Sequence, residues 1–385
     1  MKRVLFLTSR LPFPPIGGDK LRTFNFIKCL KRNHHLTLLS FIEHESELDC
    51  IQEYNDYFDE IKTVTLSPKS SYFKSFLGLF SPEPLQIHYY KSEKMQALVA
   101  EELAAGFDAV FCHLIRMAQY LPDNDDINKV VDFTDAISLN YSRSKQYRTG
   151  MFSLINNIEA KRVYKYELDI IDRANTSIFI SPIDAEFLKN DKNHHKVKVV
   201  ANGVDFEKFP FYNRGYDRNQ IVFVGNMRTF PNTDAVLYFA NDVLPLLEKE
   251  SPDVRFYIVG NEPNKKVLAL HDGKKIFVTG FVDSTIPYVT NSAALIAPMR
   301  VGAGVQNKIL EAMSLGTPVV TTSIGAEGLE KKQLTVADSP EKIAEKLLEL
   351  MVNETKREAK AVSGRAYIEK SFCWENVLKN LDTYI

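Results

Sequence analysis

The chain alternates short apolar runs with segments whose apolar residues recur every three or four positions. Val4–Leu7 is an unbroken apolar run. Leu21, Phe24, Ile27 and Leu30 then fall at helical spacing, and residues 36–41 are again mostly apolar. This reads as strand, helix, strand, and runs apolar on both faces imply a parallel sheet covered by helices. Further runs predict strands at 108–113, 129–133, 177–181 and 197–202. The pattern then restarts with runs at 221–226, 255–260, 276–280, 294–298, 318–322 and 334–338. Amphipathic segments such as 233–250 fit between most of them. Two doubly wound α/β sheets in series follow, joined near 202–220, where Gly, Pro and polar residues cluster.

Composition narrows the class. At 385 residues the chain is too long for one hydrophobic core, which agrees with two domains. The net charge of -1 supplies no global field for nucleic acid. Four scattered cysteines without a C-x-x-C spacing argue against a disulfide framework or a thiolate metal site, and fit a reducing cytoplasm. The apolar run behind the basic start is only four residues long, which predicts a strand rather than a signal peptide. No apolar stretch approaches the 18 or so residues of a membrane span.

Ligands of doubly wound sheets bind beyond the carboxyl ends of the strands, so motifs there carry the candidate chemistry. The stretch Pro298–Val320, PMRVGAGVQNKILEAMSLGTPVV, is the most informative. Gly302 and Gly304 permit close backbone approach, and a helix predicted from about Val305 offers its first amides to an anion. Lys308 and Glu311 are spaced i, i+3 and share a face with Asn307 nearby. An ordinary surface ion pair has the same spacing and is worth about 0–1 kcal/mol.

In the first half, Gly17 and Gly18 follow the first strand and precede a helix, where a phosphate or sugar fits; Asp19 behind them can cap that helix. Neither a G-x-G-x-x-G nor a P-loop is present. Asp132 and Asp135 end a strand in VVDFTDAIS, as candidate catalytic carboxylates, as a helix cap or as a buried salt bridge. His113 ends another strand, and Arg116 follows it; both are candidates for an acceptor side. Residues 70–90 are unusually aromatic and read either as an acceptor-binding or interfacial segment or as a core helix. Basic residues interleaved with aromatics over 142–167 read as a solvated helix face or a surface for an anionic acceptor or membrane. The two His-His pairs lack i, i+4 ligand spacing, and no metal is assigned to them.

Taken together these stretches resemble the family-4 retaining glycosyltransferases of the GT-B fold. The Pro298–Val320 stretch is similar to that family's nucleotide-sugar motif. PFPPIGGDKLRTFNFIKCL resembles its N-terminal glycine loop and helix, and VVANGVD its entry to the linker. FVGNMRTFPNTDAVLYF, YIVGNEP and VTGFVDSTIPYVTNSAALIAPM resemble successive C-domain elements, and FCWENVLKNL the terminal helix. The resemblance implies two Rossmann-like doubly wound domains facing a cleft. These are an acceptor-binding domain over 1–203, a nucleotide-sugar domain over 204–368, and a helix over 369–385, around the single Trp374, returning to the first domain.

It also implies a donor site of Gly17, Gly18, Gly225, Asn226, Arg228, Gly302, Ala303, Gly304, Val305, Lys308 and Glu311. Glu311 would contact the ribose, and Arg228 and Lys308 the diphosphate, with Arg300 a further cation. The pattern departs from the family at Ala303, where a glutamate is usual, and at Asn226 and Asn232, where an Arg and a Lys are usual. Asp135, then Asp132, are the expected catalytic carboxylates beside the sugar. The implied activity is metal-independent, retaining transfer from a nucleotide-diphosphate sugar to a glycan or lipid-linked acceptor in surface polysaccharide or lipopolysaccharide assembly. It would take place in the cytoplasm or at the inner face of the membrane. A sugar-nucleotide epimerase of the same architecture, and a non-catalytic homologue, are the alternatives.

Overall fold

A computed structural model of the chain describes residues 1–147, 151–212, 215–302 and 304–385. Ala303 and part of the basic 142–167 stretch therefore lie outside the described residues. The chain divides into two units, Met1–Ala201 with Leu378–Ile385, and Asn202–Val377.

The first unit is built on a sheet of β1 (Arg3–Thr8), β2 (His35–Ile42), β3 (Glu60–Thr65), β4 (Ala109–His113), β5 (Asn128–Thr134), β6 (Thr176–Phe179) and β7 (Val197–Val199). Their order is β3-β2-β1-β4-β5-β6-β7 and every pairing is parallel. β1 and β4 are buried on both faces, as the unbroken apolar runs require. β3 carries no such run: its two apolar residues, Ile61 and Val64, are three apart and so on opposite faces, only Val64 is buried, and the sequence reading passes over this edge strand. β7 is shorter than predicted, because Val200 and Ala201 turn their carbonyls to Arg22. The helices of this unit include α1 (Gly18–Leu30), α2 (Pro68–Leu77) and α3 (Met151–Arg173).

The second unit repeats the scheme with β8 (Asp217–Val224), β9 (Arg255–Val259), β10 (Ile276–Gly280), β11 (Ser292–Ala297), β12 (Val319–Thr321) and β13 (Thr335–Val336). The order is β10-β9-β8-β11-β12-β13, again parallel throughout. Its helices include α4 (Asn307–Ser314) and α5 (Glu354–Ser371).

The segment returning to the first unit is shorter than the expected 369–385. α5 and Trp374 group with the second unit. The Val204 amide donates to the Phe372 carbonyl at 2.7 Å, and a side chain on Gly203 would lie 2.6 Å from the Trp374 ring. Only Leu378–Ile385 groups with the first unit. It is held there by His34 Nε2 on Asp382 at 2.8 Å and by the Asn128 amide on the Tyr384 carbonyl at 2.8 Å. The tie follows from where polar partners lie, which helical periodicity does not report.

Candidate functional site

In the second unit the strand order reverses between β8 and β11, and the loops leaving these strands form the candidate donor site. The loop after β8 is tied to the loop after β9. The Gly225 amide donates to the Val259 carbonyl at 3.0 Å, and the Met227 amide to that of Asn261 at 3.0 Å. Gly260 has φ +147°, and a Cβ there would stand 1.8 Å from the Gly225 carbonyl oxygen. No other residue permits that approach. Asn226 accepts from the Arg228 amide with its side chain and from Asn232 Nδ2 with its carbonyl, both at 2.9 Å. The asparagines thus set the loop's shape.

After β11 the chain turns through Gly302 and Gly304, both at positive φ, with Val301 and Val305 buried on either side. α4 begins directly behind this turn without a side-chain cap at its N-terminus. The Ile309 amide donates to the Gln306 carbonyl at 2.9 Å, which leaves the Asn307 and Lys308 amides of the first turn to favour an anion. The helix stops where the sequence reads L-G-T-P. The Thr317 amide bonds the Ala312 carbonyl at 2.9 Å and the Gly316 amide that of Met313 at 3.2 Å, with Gly316 at φ +82°, a Schellman motif.

Lys308, on the first turn of α4, places Nζ 2.6 Å from Asn232 Oδ1 and 4.1 Å from the centre of the Phe223 ring. Burial pushes its pKa down to about 7, with Glu311 opposing. Burial likewise pushes Glu311 up to about 7, against Lys208 and Lys308. Both groups are therefore held near the point where charge is gained or lost. Arg228 is exposed, with Glu262 at 3.5 Å. Arg300 grips Asp234 with Nε at 3.0 Å and Nη2 at 2.6 Å and stacks on Tyr238, a structural commitment that removes it from the anion-binding cations.

In the first unit the order reverses between β1 and β4. Here Asp132, with no exposed surface, accepts from Arg22 Nε at 2.9 Å and Nη2 at 2.8 Å, and lies 2.9 Å from His113 Nδ1. Arg22 also donates to the Val200 carbonyl at 2.8 Å. Burial alone would raise the Asp132 pKa; the Arg22 charge and the His113 hydrogen bond win and hold it well below the usual carboxylate range. An ionised Asp132 can only accept, so His113 donates through Nδ1–H. His113 Nε2 is left buried and without a partner, as is Thr8 Oγ1. The register pairing Leu7 with Cys112 brings Thr8 and His113 to the same level. Leu114 and Thr134, the residues next to this cluster, have φ of 70° and 65°. Such strained backbone in non-glycine residues concentrates at functional sites.

Enclosed on all sides, Asp132 has no surface to offer a ligand and touches His113 instead. Asp135 is half-buried and pushed up to about 8, by burial first and then by the Asp184 carboxylate. Gly17, at φ +93°, is the N-cap of α1 and Gly18 its first residue. Asp19 is paired with Arg10. Arg116 stacks on Tyr90 at 5.2 Å, and its Nε is buried without a partner. Sequence reasoning missed Arg22 and Thr8. Among the described residues, no group of three or more His, Cys, Asp or Glu is arranged to hold a metal ion, and no helix is long and apolar enough to cross a membrane.

Residues 218–353 match the family model described as Glycosyl transferases group 1. Over 99% of its length the chain is 24% identical to an uncharacterized protein of the cps region of Klebsiella pneumoniae, of which it covers 99%. Over 34% of its length it is 30% identical to an Escherichia coli protein, of which that stretch covers 37%. That relative is named as a UDP-Gal:alpha-D-GlcNAc-diphosphoundecaprenol alpha-1,3-galactosyltransferase. The structure of WaaG, titled a glycosyltransferase involved in lipopolysaccharide biosynthesis, superposes with a TM-score of 0.65 at 16% identity, covering 99% of both chains.

Proposed function

We propose that this glycosyltransferase of group 1, which has the GT-B fold, moves a sugar from a uridine-diphosphate donor to a lipid-linked glycan, with retention of configuration and without a metal ion. One observation carries the reading. In the unit matched by the family model, the strand-order reversal brings the Gly302–Gly304 turn, the N-terminus of α4, Lys308 and Glu311 to one edge.

The diphosphate lies against the first-turn amides of α4 and within reach of Lys308, whose charge grows in worth as the leaving group becomes anionic. Glu311, one turn further along, accepts from the ribose hydroxyls. Arg228 is the remaining cation for the outer phosphate. In retaining transfer the acceptor hydroxyl attacks from the face the diphosphate leaves, and its proton passes to the departing phosphate oxygen. The acceptor binds the first unit. There Arg22 and Asp132 fix the tautomer of His113, which leaves a lone pair on its buried Nε2. The uridine donor and the diphospho-lipid acceptor are suggested by the name of the Escherichia coli relative, and surface polysaccharide assembly by the cps region of the Klebsiella relative.

The test has two stages. A thermal-shift panel of UDP-galactose, UDP-glucose and GDP-mannose identifies the donor; a ligand at 100 times its Kd adds about 2.7 kcal/mol. Isotope-labelled donor is then offered with a diphospholipid-linked sugar. Label in the lipid product supports the proposal. Interconversion of the donor sugar without transfer makes the protein an epimerase, and binding with neither makes it non-catalytic.

A further inference from the structure

The segment 202–212, which leads into β8, is laid along α4 and fastened to it at both ends. At the start of the helix Asn202 Nδ2 donates to Asn307 Oδ1 at 2.7 Å. At its end Ser314 Oγ donates to the Phe209 carbonyl at 2.7 Å, and the Tyr212 amide to the Leu315 carbonyl at 3.1 Å. Phe211 closes on Gly316, where a Cβ would stand 2.6 Å from its ring. Arg365 of α5 holds the same stretch, with Nη1 2.9 Å from the Phe209 carbonyl and its guanidinium on the Phe206 ring. Between the two fastenings lies a turn wound on Asp205. Its carboxylate accepts from the Glu207 and Lys208 amides at 3.0 and 3.1 Å. The backbone of Lys208 is thereby fixed beside the middle of α4, where Glu311 stands.

Glu311 needs such a neighbour. It is half-buried, and among the described residues its carboxylate has neither a hydrogen-bond donor nor an ion pair. A carboxylate taken out of water without partners tends to take up a proton, and an opposite charge nearby resists this. Two charges face it, Lys308 on its own helix and Lys208 on the strap, and of these Lys208 weighs more. Lys308 is itself pushed down to about 7 by burial, and its Nζ is turned to Asn232 in the loop after β8. α5 brings Arg365, which is committed to Glu369 at 2.6 Å and to the Phe209 and Ser314 carbonyls. β11 and β12, on which α4 packs, carry no charged residue. Lys208 is exposed and pairs with no carboxylate among the described residues.

We propose that Lys208 is a positioning residue for the donor, the counter-charge that keeps Glu311 an acceptor for the ribose hydroxyls without itself touching the nucleotide. This rests on the reading that the edge around α4 holds a nucleotide-diphosphate sugar. It adds to that reading the strap 202–212, whose fastenings set where the counter-charge stands.

The test is calorimetric titration of the full chain with UDP, for wild type, Lys208→Met, Lys208→Arg, Glu311→Ala and the Lys208→Met/Glu311→Ala pair. At pH 7 Lys208→Met is expected to bind about fivefold more weakly and Lys208→Arg as wild type does. Removing the positive charge raises the Glu311 pKa further. The loss, taken as the ratio to wild type at the same pH, is therefore full below about pH 7 and closes as the pH rises and Glu311 ionises in both proteins. In the Glu311→Ala background the same substitution should change affinity by less than about twofold. The strap is fastened by other side chains and by backbone, so Lys208→Met should melt as wild type does; Lys208→Gln serves if it does not. A loss of equal size with and without Glu311, or one that persists unchanged to about pH 8.5, assigns Lys208 to the phosphates and overturns the positioning role. Lys208→Met binding as tightly as wild type at pH 7 overturns it too, and leaves the donor reading standing. Wild type that binds no UDP overturns both.

Discussion

Lys308 and Glu311 stand one helical turn apart, each poised near pH 7 by burial. Lys308 must carry its proton to pair with a diphosphate, and below its pKa of about 7 it does; above that value binding must take the proton up. Glu311 must be ionised to accept from the ribose, and it loses that charge as the pH falls through about 7. Donor affinity is therefore expected to peak near neutrality and fall on both sides. Lys308→Arg should flatten the alkaline limb, because a guanidinium keeps its charge. Nucleotide titrations between about pH 5.5 and 8.5 check this, and an alkaline limb unchanged in Lys308→Arg removes Lys308 from the diphosphate. Glu311→Ala should weaken donor binding by about 1.5–3 kcal/mol, read by calorimetry.

Asp135 offers a second pH signature. Between its unfolded value of 3.8 and its native value of about 8, the native state holds a proton that the unfolded chain releases. Stability contributed at this site thus falls as pH rises through that window. Asp135→Asn removes the loss, so the variant should melt above wild type at pH 8 and close to it at pH 4. Equal melting temperatures at both would show that the carboxylate is not strained. Sequence reading found Asp132 and His113 but not the hydrogen bond that joins them. Arg22 lies 110 positions from Asp132, and nothing local marks a helix arginine as the partner of a distant strand end. The contact exists only once β1, α1 and β5 are assembled.

Among elements, those with unbroken apolar runs were legible, and so were the edge strands β7, β10 and β13; the edge strand β3 was not. β1, β2, β4 and β8 follow from their composition. β3, with two apolar residues in six and half-exposed, has the pattern of many surface segments. The α4 motif was legible from its glycine turn, which is local chemistry, although the helix starts at Asn307 and not at Val305. The outward aromatic face of α2, with Tyr72, Phe73 and Phe76 exposed, was visible only as an aromatic excess, because the sequence does not say which face finds support. Gly260 shows the same limit: its need for glycine comes from the carbonyl of Gly225, 35 positions back in the sequence. Gly260→Ala should destabilise the second unit by about 3 kcal/mol or more, since backbone cannot yield as a side chain can. Gly225→Ala meets only the Asn232 amide, at 2.7 Å, and should cost clearly less. Denaturant unfolding of the pair checks the order.

At the scale of the molecule, two sheets of seven and six parallel strands carry separate candidate chemistry. The chain passes between the units at 201–202 and again at 377–378. If the donor is held by the second unit, the first shares little of its stabilisation. Limited proteolysis with UDP-sugar should then protect cleavage sites within 202–377 more than those within 1–201. The central claim is that the edge around α4 holds a nucleotide-diphosphate sugar for transfer. The most direct measurement follows label from a UDP-sugar into a diphospholipid-linked acceptor, with wild type beside Lys308→Ala and Glu311→Ala and with EDTA present throughout. Wild type should transfer label under chelation, and each variant should lose roughly tenfold or more. No labelled lipid product from any UDP-sugar that binds, or variants that transfer as fast as wild type, would contradict the central claim.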